Sequence, residues 1–299
     1  MKRILIALSA VFSLSSPLHA WDAAGHQVIA RIAWDNMTPA ARQKAVALLR
    51  SAPPDADLAN LSADGRELFL KASTWPDIVR DKAFPAREAK YHHGSWHYIN
   101  FFWEQAADGS VRDRPDLRPA PENVVERLGK LDAALGDPAR GDAERAVDLA
   151  WVLHLVGDLH QPLHASARVT PEEPEGDRGG NLFKLDPKGK EDLHWFWDSI
   201  LVRRHPMEGM DEARYVERWA RKIERRQPRR RFAERLEPGR YEAWARESFA
   251  TTKRVVYPRS LRRGVEPSGS YQRKAYRTAE PALALAGYRL AELLNRRLG

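Results

Sequence analysis

Histidine and aspartate residues recur along this chain at spacings that suit metal binding. The densest group lies in WVLHLVGDLHQPLHA, where His154 and Asp158 are four residues apart and His164 follows six residues later. A second pair with the same four-residue spacing, His194 and Asp198, lies in LHWFWD. Because positions i and i+4 share one face of a helix, each pair can direct an imidazole and a carboxylate toward one point. Mixed nitrogen and oxygen ligands of this kind suit zinc.

A histidine taken alone is more often a hydrogen-bonded core residue than a metal ligand. Here the joint arrangement favours a metal site, because five of the ten histidines fall in ligand-compatible settings together with three aspartates. The predicted shell of the site comprises nine residues: Trp21, His26, Asp77, His97, His154, Asp158, His164, His194 and Asp198. The sequence therefore predicts a metalloenzyme.

The elements that must position these residues are mostly helices, because apolar residues recur at helical spacing. Helices are predicted over residues 26–37, 40–51, 66–79, 122–135, 146–160, 193–204 and 281–298. The 146–160 segment is the most apolar and should be central, and Pro162 should end it, so that His164 lies just beyond its last turn. Residues 168–190 are predicted to form a loop, and the only strand-like segment is around 97–103. The fold class is therefore all-α, in one domain.

The first twenty residues have the features of a secretory signal peptide. Lys2 and Arg3 precede a short apolar run, and Ala20 provides a small residue at the cleavage point. A retained anchor is the alternative, because Leu18 is larger than is usual at its position. The expected division is a signal peptide over 1–20 and an enzyme domain over 21–299. We expect secretion to the periplasm or the medium, with no stable membrane association after cleavage.

Amino-acid composition indicates less about the function than the spacing of the histidines and aspartates does. The chain of 299 residues has no cysteine and a formal net charge of +8, which suits a polyanionic substrate without requiring one. The basic excess is concentrated in residues 203–264, which contain RRQPRRRFAERLEPGR. This segment is either a surface for phosphate groups or a solvated helical face with a charged loop. No obligate protein partner is evident.

Motifs along the whole chain from Trp21 onward resemble those of one enzyme family. In order they are WDAAGHQVIARIA, WPDIVR, WHYINF, LHLVGDLHQPLH, GGN, LHWFWD and AGYRLAELLN. They are similar to the motifs of the S1/P1-type zinc nucleases, which are single-strand-specific enzymes of fungi, plants and bacteria. The resemblance implies a mainly helical domain with a three-zinc cluster at the base of a cleft.

The resemblance also implies which residues bind each zinc ion. The first zinc would be bound by Asp77, His97, His154 and Asp158, and the second by His164, His194 and Asp198. The third would be bound by His26, Asp158 and the amino nitrogen and carbonyl oxygen of Trp21. Asp158 would thus bridge two zinc ions. Only a free N-terminal amine can act as a ligand, and cleavage after Ala20 would produce one.

The implied reaction is hydrolysis of single-stranded DNA and RNA at the 3′ O–P bond, which leaves 5′-phosphate ends, together with 3′-nucleotidase activity. Asp77 and Asp158 would take part as metal ligands. Arg80 matches an arginine that contacts the phosphate, although a surface ion pair is the alternative. Asn181 matches a position near the scissile phosphate, although it could instead serve a tight turn after two glycines.

Base recognition is expected next to the cluster. Tyr98 corresponds to an aromatic residue that stacks on a base, and stacking tolerates any base. Asn100 stands where the best-known relatives have an acidic residue that reads the base, so the base preference is open, as is the choice between DNA and RNA. His160 is expected to make a hydrogen bond that orients a ligand. His92 and His93 are expected to lie in a solvated loop.

Two rival functions remain at this point. A bacterial zinc phospholipase C has the same helical three-zinc architecture, but it has a longer gap after the N-terminal Trp and a Glu as the last ligand. Here His26 follows Trp21 by only five positions, and the last ligand is Asp198. The other rival is a structural or zinc-storage site in a binding protein. Structural zinc sites are usually closed four-ligand cages, whereas only three protein residues are assigned to two of these ions.

Overall fold

Helices dominate the structure, a computed structural model that describes residues 21–106 and 108–299. The predicted signal peptide lies outside these described residues. The helices are α1 (Ala23–Asn36), α2 (Pro39–Arg50), α3 (Gly65–Ala72), α4 (Trp75–Ile78), α5 (Pro85–Tyr91), α6 (Val124–Leu135), α7 (Asp142–Leu159), α8 (Leu193–Asp198), α9 (Ile200–Arg204), α10 (Glu212–Arg226), α11 (Tyr241–Thr251) and α12 (Gly269–Leu298). The prediction of a single all-α domain is confirmed.

Helix α7 lies in the middle of this arrangement, as its apolar composition predicted. Every residue from Asp148 to His160 is buried. Helices α2 and α6 pack against it, while α12 packs against α1, α2 and α7. Burial on all sides explains why the helix has little polar surface. The helix ends at Leu159, three residues before Pro162, as predicted.

The helix bounds differ from the predicted ones at two prolines. The segment 66–79 is not one helix: α3 ends at Ala72 and α4 starts at Trp75, because Pro76 has no N–H to continue the helical hydrogen bonds. Conversely, the prediction that the last helix begins at Pro281 is wrong, since α12 starts at Gly269 and continues through that proline. Buried Tyr271 and Ala275 hold the first half of α12 against the core, and this packing offsets the missing hydrogen bond.

A small sheet lies beside the helices. In the described part of the chain it contains β1 (Phe101–Gln105), β2 (Val111–Asp113) and β3 (Ser166–Val169) in the order β2-β1-β3. Strand β1 runs antiparallel to β2 and parallel to β3. Each of β1 and β3 follows a short 3₁₀ turn that carries a predicted ligand, and these turns are Gly94–His97 and Pro162–Ala165. The sheet therefore aligns two segments of the predicted metal site.

Much of the basic segment 203–264 is engaged in ion pairs. Arg226 lies 3.0 Å from Glu280 of α12, and Arg235 lies 2.6 Å from Glu247 of α11. These contacts support a structural role for the two arginines, and the alternative of a phosphate-binding surface stays open for the rest of the segment. None of the helices in the described ranges has the length and apolar composition that crossing a bilayer requires.

Candidate metal centre

The nine predicted shell residues come from six short segments that converge on the C-terminal half of α7. Helix α7 presents His154 and Asp158 one turn apart, and α8 presents His194 and Asp198 in the same way. Helix α1 carries His26, and its first turn is capped by the Asp22 carboxylate, which accepts a 2.8 Å hydrogen bond from the Gly25 N–H. The remaining residues are Asp77 on α4, His97 and His164 in the two 3₁₀ turns, and Trp21 immediately before α1.

Three atoms around Asp158 form a close triangle. Asp158 Oδ2 lies 3.0 Å from His97 Nδ1 and 3.3 Å from His154 Nε2, and the two nitrogens are 3.0 Å apart. Asp77 Oδ1 lies 3.8 Å from His154 Nε2. Ligand atoms of a tetrahedral zinc with bonds of about 2.0 Å lie about 3.3 Å apart, so these atoms have the spacing of a zinc shell.

The other oxygen of Asp158 points to a second potential site. Asp158 Oδ1 lies 3.3 Å from His26 Nε2. The His26 ring stacks on that of His154, with centroids 4.0 Å apart. His26, His154 and Asp158 thus form a second group whose ligand atoms could hold a metal ion. The Asp158 carboxylate is shared between the two groups, as a bridging ligand would be.

A third group contains the remaining candidates. His194 Nε2 lies 3.3 Å from Asp198 Oδ2, and His164 Nε2 lies 3.8 Å from Asp198 Oδ1. His164 Nε2 and Asp198 Oδ2 are buried, yet neither hydrogen-bonds to any of the residues that the structure describes. A buried polar atom without a partner costs free energy, so this pair fits a metal ion that would satisfy both atoms.

Backbone carbonyl groups fix the orientation of three of the imidazoles. His154 Nδ1 lies 2.8 Å from the Ser73 carbonyl oxygen, and His164 Nδ1 lies 2.8 Å from that of His97. His194 Nδ1 lies 2.8 Å from the Gly179 carbonyl oxygen. Each Nδ1–H donates to its carbonyl, which leaves the Nε2 lone pair directed at the cluster. These outer partners were not predicted, because no sequence spacing marks a backbone carbonyl.

The pKa shifts agree with metal binding. Burial lowers the pKa of His154 and of His97 well below the usual range, so both imidazoles are neutral and can donate a lone pair. Burial raises the pKa of Asp158 well above the usual range, and the nearby Asp77 carboxylate adds to the rise. Burial also raises the pKa of Asp198. A cation among these groups would favour the charged carboxylates and remove the cost of burying them.

Trp21 is held against the cluster by its side chain and its neighbour. The indole Nε1–H donates a 3.0 Å hydrogen bond to the Gly157 carbonyl, next to Asp158 in the chain. The following Asp22 N–H donates a 3.0 Å bond to the Asp198 carbonyl. The side chain of Trp21 is fully buried. The start of α1 is therefore fixed between α7 and α8, through the backbone of Gly157 and of the candidate ligand Asp198. That the amine of Trp21 is a ligand stays a prediction.

A glycine-rich turn carries Asn181. Gly179 has a φ of +62°, and a Cβ there would lie 2.5 Å from the Leu163 carbonyl oxygen, so only glycine fits. The buried Asp177 carboxylate holds the turn by accepting hydrogen bonds from the Tyr257 hydroxyl, at 2.5 Å, and from the Arg168 N–H, at 2.9 Å. The Asn181 amide donates a 2.6 Å bond to Arg178 within the turn. The structure therefore shows the alternative role predicted for Asn181, which is to stabilise a tight turn after two glycines.

The residues predicted to contact substrate lie near the cluster but are not themselves buried. Arg80 Nη2 lies 2.9 Å from Asp77 Oδ1, which places a guanidinium next to a candidate ligand. The Tyr98 side chain is 40% exposed, and Asn100 is partly exposed. Neither the phosphate contact of Arg80 nor the base contact of Tyr98 is tested by these positions. Both stay predictions.

His160 differs from what the sequence predicted. Its Nδ1 lies 2.7 Å from the Val156 carbonyl oxygen, and its Nε2 accepts a 2.9 Å hydrogen bond from Arg289 of α12. The prediction that it orients a ligand is wrong, because both ring nitrogens face groups outside the cluster. Gln161 takes such a role instead, since its amide donates a 2.6 Å bond to Asp198 Oδ1. His93, predicted to be solvated, stacks on Trp96.

Comparison with known proteins extends these observations. The family model described as S1/P1 nuclease matches residues 21–299. Endonuclease 2 of Arabidopsis thaliana is 26% identical over 227 residues, which cover 70% of this chain and 68% of that protein. Nuclease P1 of Penicillium citrinum is 23% identical over 299 aligned positions, which cover 92% of this chain and 97% of that protein. The similarity thus includes every segment that contributes to the cluster.

Proposed function

The chain belongs to the S1/P1 nuclease family, and we propose that it is a secreted, zinc-dependent endonuclease specific for single-stranded DNA and RNA. Its class is shown by the family and its relatives: it is a metal-dependent nuclease, a hydrolase of phosphodiester bonds. The finer proposal adds cleavage at the 3′ O–P bond to give 5′-phosphate ends, and 3′-nucleotidase activity. The observation that carries it is the set of three His/Asp groups, two of which share His154. The two oxygens of the Asp158 carboxylate face one ligand from each of these two groups, His26 and His97.

Zinc and the number three are supported by the donor set. The clustered side chains offer imidazole nitrogens and carboxylate oxygens, which are ligands that zinc accepts. The proposed ligand sets are Asp77, His97, His154 and Asp158 for one ion, His164, His194 and Asp198 for another, and His26, Asp158 and the Trp21 amine and carbonyl for the third. Bound zinc supplies Lewis-acid chemistry, since it polarises phosphoryl oxygens and makes water more nucleophilic near neutral pH.

Arg80 is proposed to bind the phosphate. Its planar guanidinium can donate two parallel hydrogen bonds to phosphoryl oxygens, and its contact with Asp77 Oδ1 holds it at the edge of the cluster. Asn181 is proposed to donate to another phosphate oxygen with the amide hydrogen that Arg178 does not use. Together these side chains would fix the orientation of the phosphate without forming a covalent bond to it.

Specificity for single strands is proposed from the depth of the cluster. The candidate ligands on α7 and α8 are buried, so a phosphodiester group within a duplex cannot reach them. The strand that carries it must first be unpaired. The exposed ring of Tyr98 can then stack on the freed base, which contributes roughly 1–3 kcal/mol whatever the base is. The amide of Asn100 offers both donors and an acceptor for further contacts with the base edge.

The test uses protein that begins at Trp21. It is incubated with single-stranded and double-stranded DNA, RNA, a 3′-mononucleotide and phosphatidylcholine vesicles, each with and without EDTA. The proposal expects EDTA-sensitive cleavage of both single strands to 5′-phosphate products, restored by added zinc. Equal rates on duplex and single strands would contradict the strand specificity. Hydrolysis of phosphatidylcholine alone would instead support the phospholipase alternative.

A further inference from the structure

An open pocket of about 290 Å³ lies beside the cluster, between α1 and the α3–α4 segment. It is bordered by Asp77 at the cluster and by Gln27, the neighbour of His26. Among the described residues that line it, none is a predicted contact for the base or the phosphate; those contacts were Tyr98, Asn100, Arg80 and Asn181. The pocket is therefore a separate space that adjoins the same reacting centre.

Gln27 is the first indication that this pocket binds a ligand. Its side chain lines the pocket, and the residue is only 6% exposed. Its amide makes no hydrogen bond to any other residue in the described ranges. An amide has two donor hydrogens and an acceptor oxygen, and those of Gln27 are accessible from the open pocket. A polar molecule in the pocket would satisfy them.

An apolar platform lies on another side of the pocket. Ile78 is 44% exposed although it is a large aliphatic residue, and it directly follows the candidate ligand Asp77. Leu61 adds a further apolar surface to the lining. Tyr98 has the same relation to His97, because it is exposed and directly follows a candidate ligand. The flat face of a nucleobase can pack on such a platform as it does on an aromatic ring.

The charges of the pocket argue against a phosphate as its occupant. Lys71 is its only lysine or arginine among the described lining residues, and it is paired at 2.8 Å with Glu67 of the same helix. Asp77 and Glu212 are also part of the lining. The Glu212 carboxylate repels a phosphate but can accept hydrogen bonds from base amino groups and sugar hydroxyls, whereas the Asp77 carboxylate is paired with Arg80. The pocket therefore suits the uncharged part of a nucleotide.

We propose that this pocket is a second nucleoside subsite for the nuclease reaction. It binds the nucleoside joined to the scissile phosphate through its 5′ oxygen, while Tyr98 contacts the nucleoside on the 3′-oxygen side. Gln27 hydrogen-bonds the base edge and Ile78 packs on the base. A volume of about 290 Å³ is near the lower end for small-ligand pockets, which suits one nucleoside. The inference rests on the proposed cleavage of single strands.

The experiment removes the base and the protein group separately. Two substrates are compared, thymidylyl-thymidine and an analogue whose 5′-linked nucleoside is an abasic tetrahydrofuran. We expect Gln27→Ala to lower kcat/KM on the complete dinucleotide about tenfold, the loss of one good hydrogen bond, and to leave the abasic analogue unchanged. Ile78→Ala should likewise lower kcat/KM on the complete dinucleotide and leave kcat/KM on the abasic analogue unchanged. Val111→Ala, a control at a 42% exposed residue of β2, should leave both rates unchanged.

The outcomes separate this inference from the proposed function. Equal losses on both substrates, or no loss on either, would overturn the subsite, because the Gln27 amide would then not contact the base. Zinc content of Gln27→Ala is measured in parallel, and it should equal that of the unmodified protein. If the unmodified protein cleaves neither dinucleotide nor longer single strands, the proposed function itself fails. If the unmodified protein cleaves single strands but Gln27→Ala changes kcat/KM equally on both dinucleotides, the subsite is refuted and the proposed function stands.

Discussion

His26 and Asp158 meet between α1 and α7, with His26 Nε2 lying 3.3 Å from Asp158 Oδ1. The second oxygen of the same carboxylate lies 3.0 Å from His97 Nδ1 and 3.3 Å from His154 Nε2. One side chain therefore faces candidate ligands on both sides. This relation connects two of the three groups and makes Asp158 the residue on which the proposed zinc cluster most depends.

Asp158→Asn should remove the support of two metal ions at once. We expect the zinc content to fall from three to one per molecule, activity to fall more than about 100-fold, and the melting temperature to decrease. Metal analysis and calorimetry measure these effects. The matched control is Asp148→Asn on the same helix, which breaks the pair with Arg140 and should lower stability while leaving the zinc content unchanged. A variant at Asp158 that keeps three zinc ions would refute the bridging role.

One extra residue before Trp21 should abolish most activity and remove about one zinc ion per molecule, because a peptide nitrogen cannot replace a free amine as a ligand. The comparison is between protein that begins at Trp21 and protein with an added alanine. The buried indole and its bond to the Gly157 carbonyl fix this end of the chain, so a displaced terminus cannot easily adapt. Full activity and full zinc content in the extended protein would rule out the terminal ligand.

Gly157→Ala should disturb His26 specifically. A Cβ at Gly157 would lie 2.8 Å from His26 Nδ1, so the added methyl group must displace a candidate ligand. We expect a loss of about 1–3 kcal/mol in unfolding free energy and weaker zinc retention during chelator titration. The control is Gly129→Ala on α6, where a Cβ meets no atom within 4 Å among the described residues. That change should stabilise the protein by about 0.5–1 kcal/mol and leave zinc retention unchanged.

Glu224→Gln should change the pH dependence of stability far from the cluster. Burial, aided by the Asp35 carboxylate, raises the pKa of Glu224 to about 7 in the folded state. The folded state therefore binds this proton more tightly than the unfolded state, and stability falls as the pH rises from about 4.5 to about 7. Removing the charge should raise the melting temperature relative to the unmodified protein at pH 8 more than at pH 5. An identical difference at both pH values would contradict the shift.

The helices at the site were predictable because burial and spacing coincide in them. His154 and Asp158 lie one turn apart on the most apolar segment, and Pro162 marks where that helix must end. The start of α12 was not predictable in the same way. A proline is most often found in the first turn of a helix, and only tertiary contacts of residues such as Tyr271 show that the helix begins before Pro281.

The outer part of the site could not be read from the sequence, for a physical reason. The imidazoles of His154, His164 and His194 are oriented by carbonyl oxygens of the backbone, which every residue possesses. Their partners are therefore set by folding alone. His160 shows the same limit, since we expected it to orient a ligand and nothing in its spacing from Asp158 indicated the contact with Arg289.

The three-zinc centre is tested by a crystal structure of protein that begins at Trp21, with diffraction measured on both sides of the zinc absorption edge. We predict three anomalous peaks, with the Asp158 carboxylate between two of them and His164, His194 and Asp198 around the third. Fewer than three peaks, or an Asp158 carboxylate that contacts only one, would contradict the three-zinc centre.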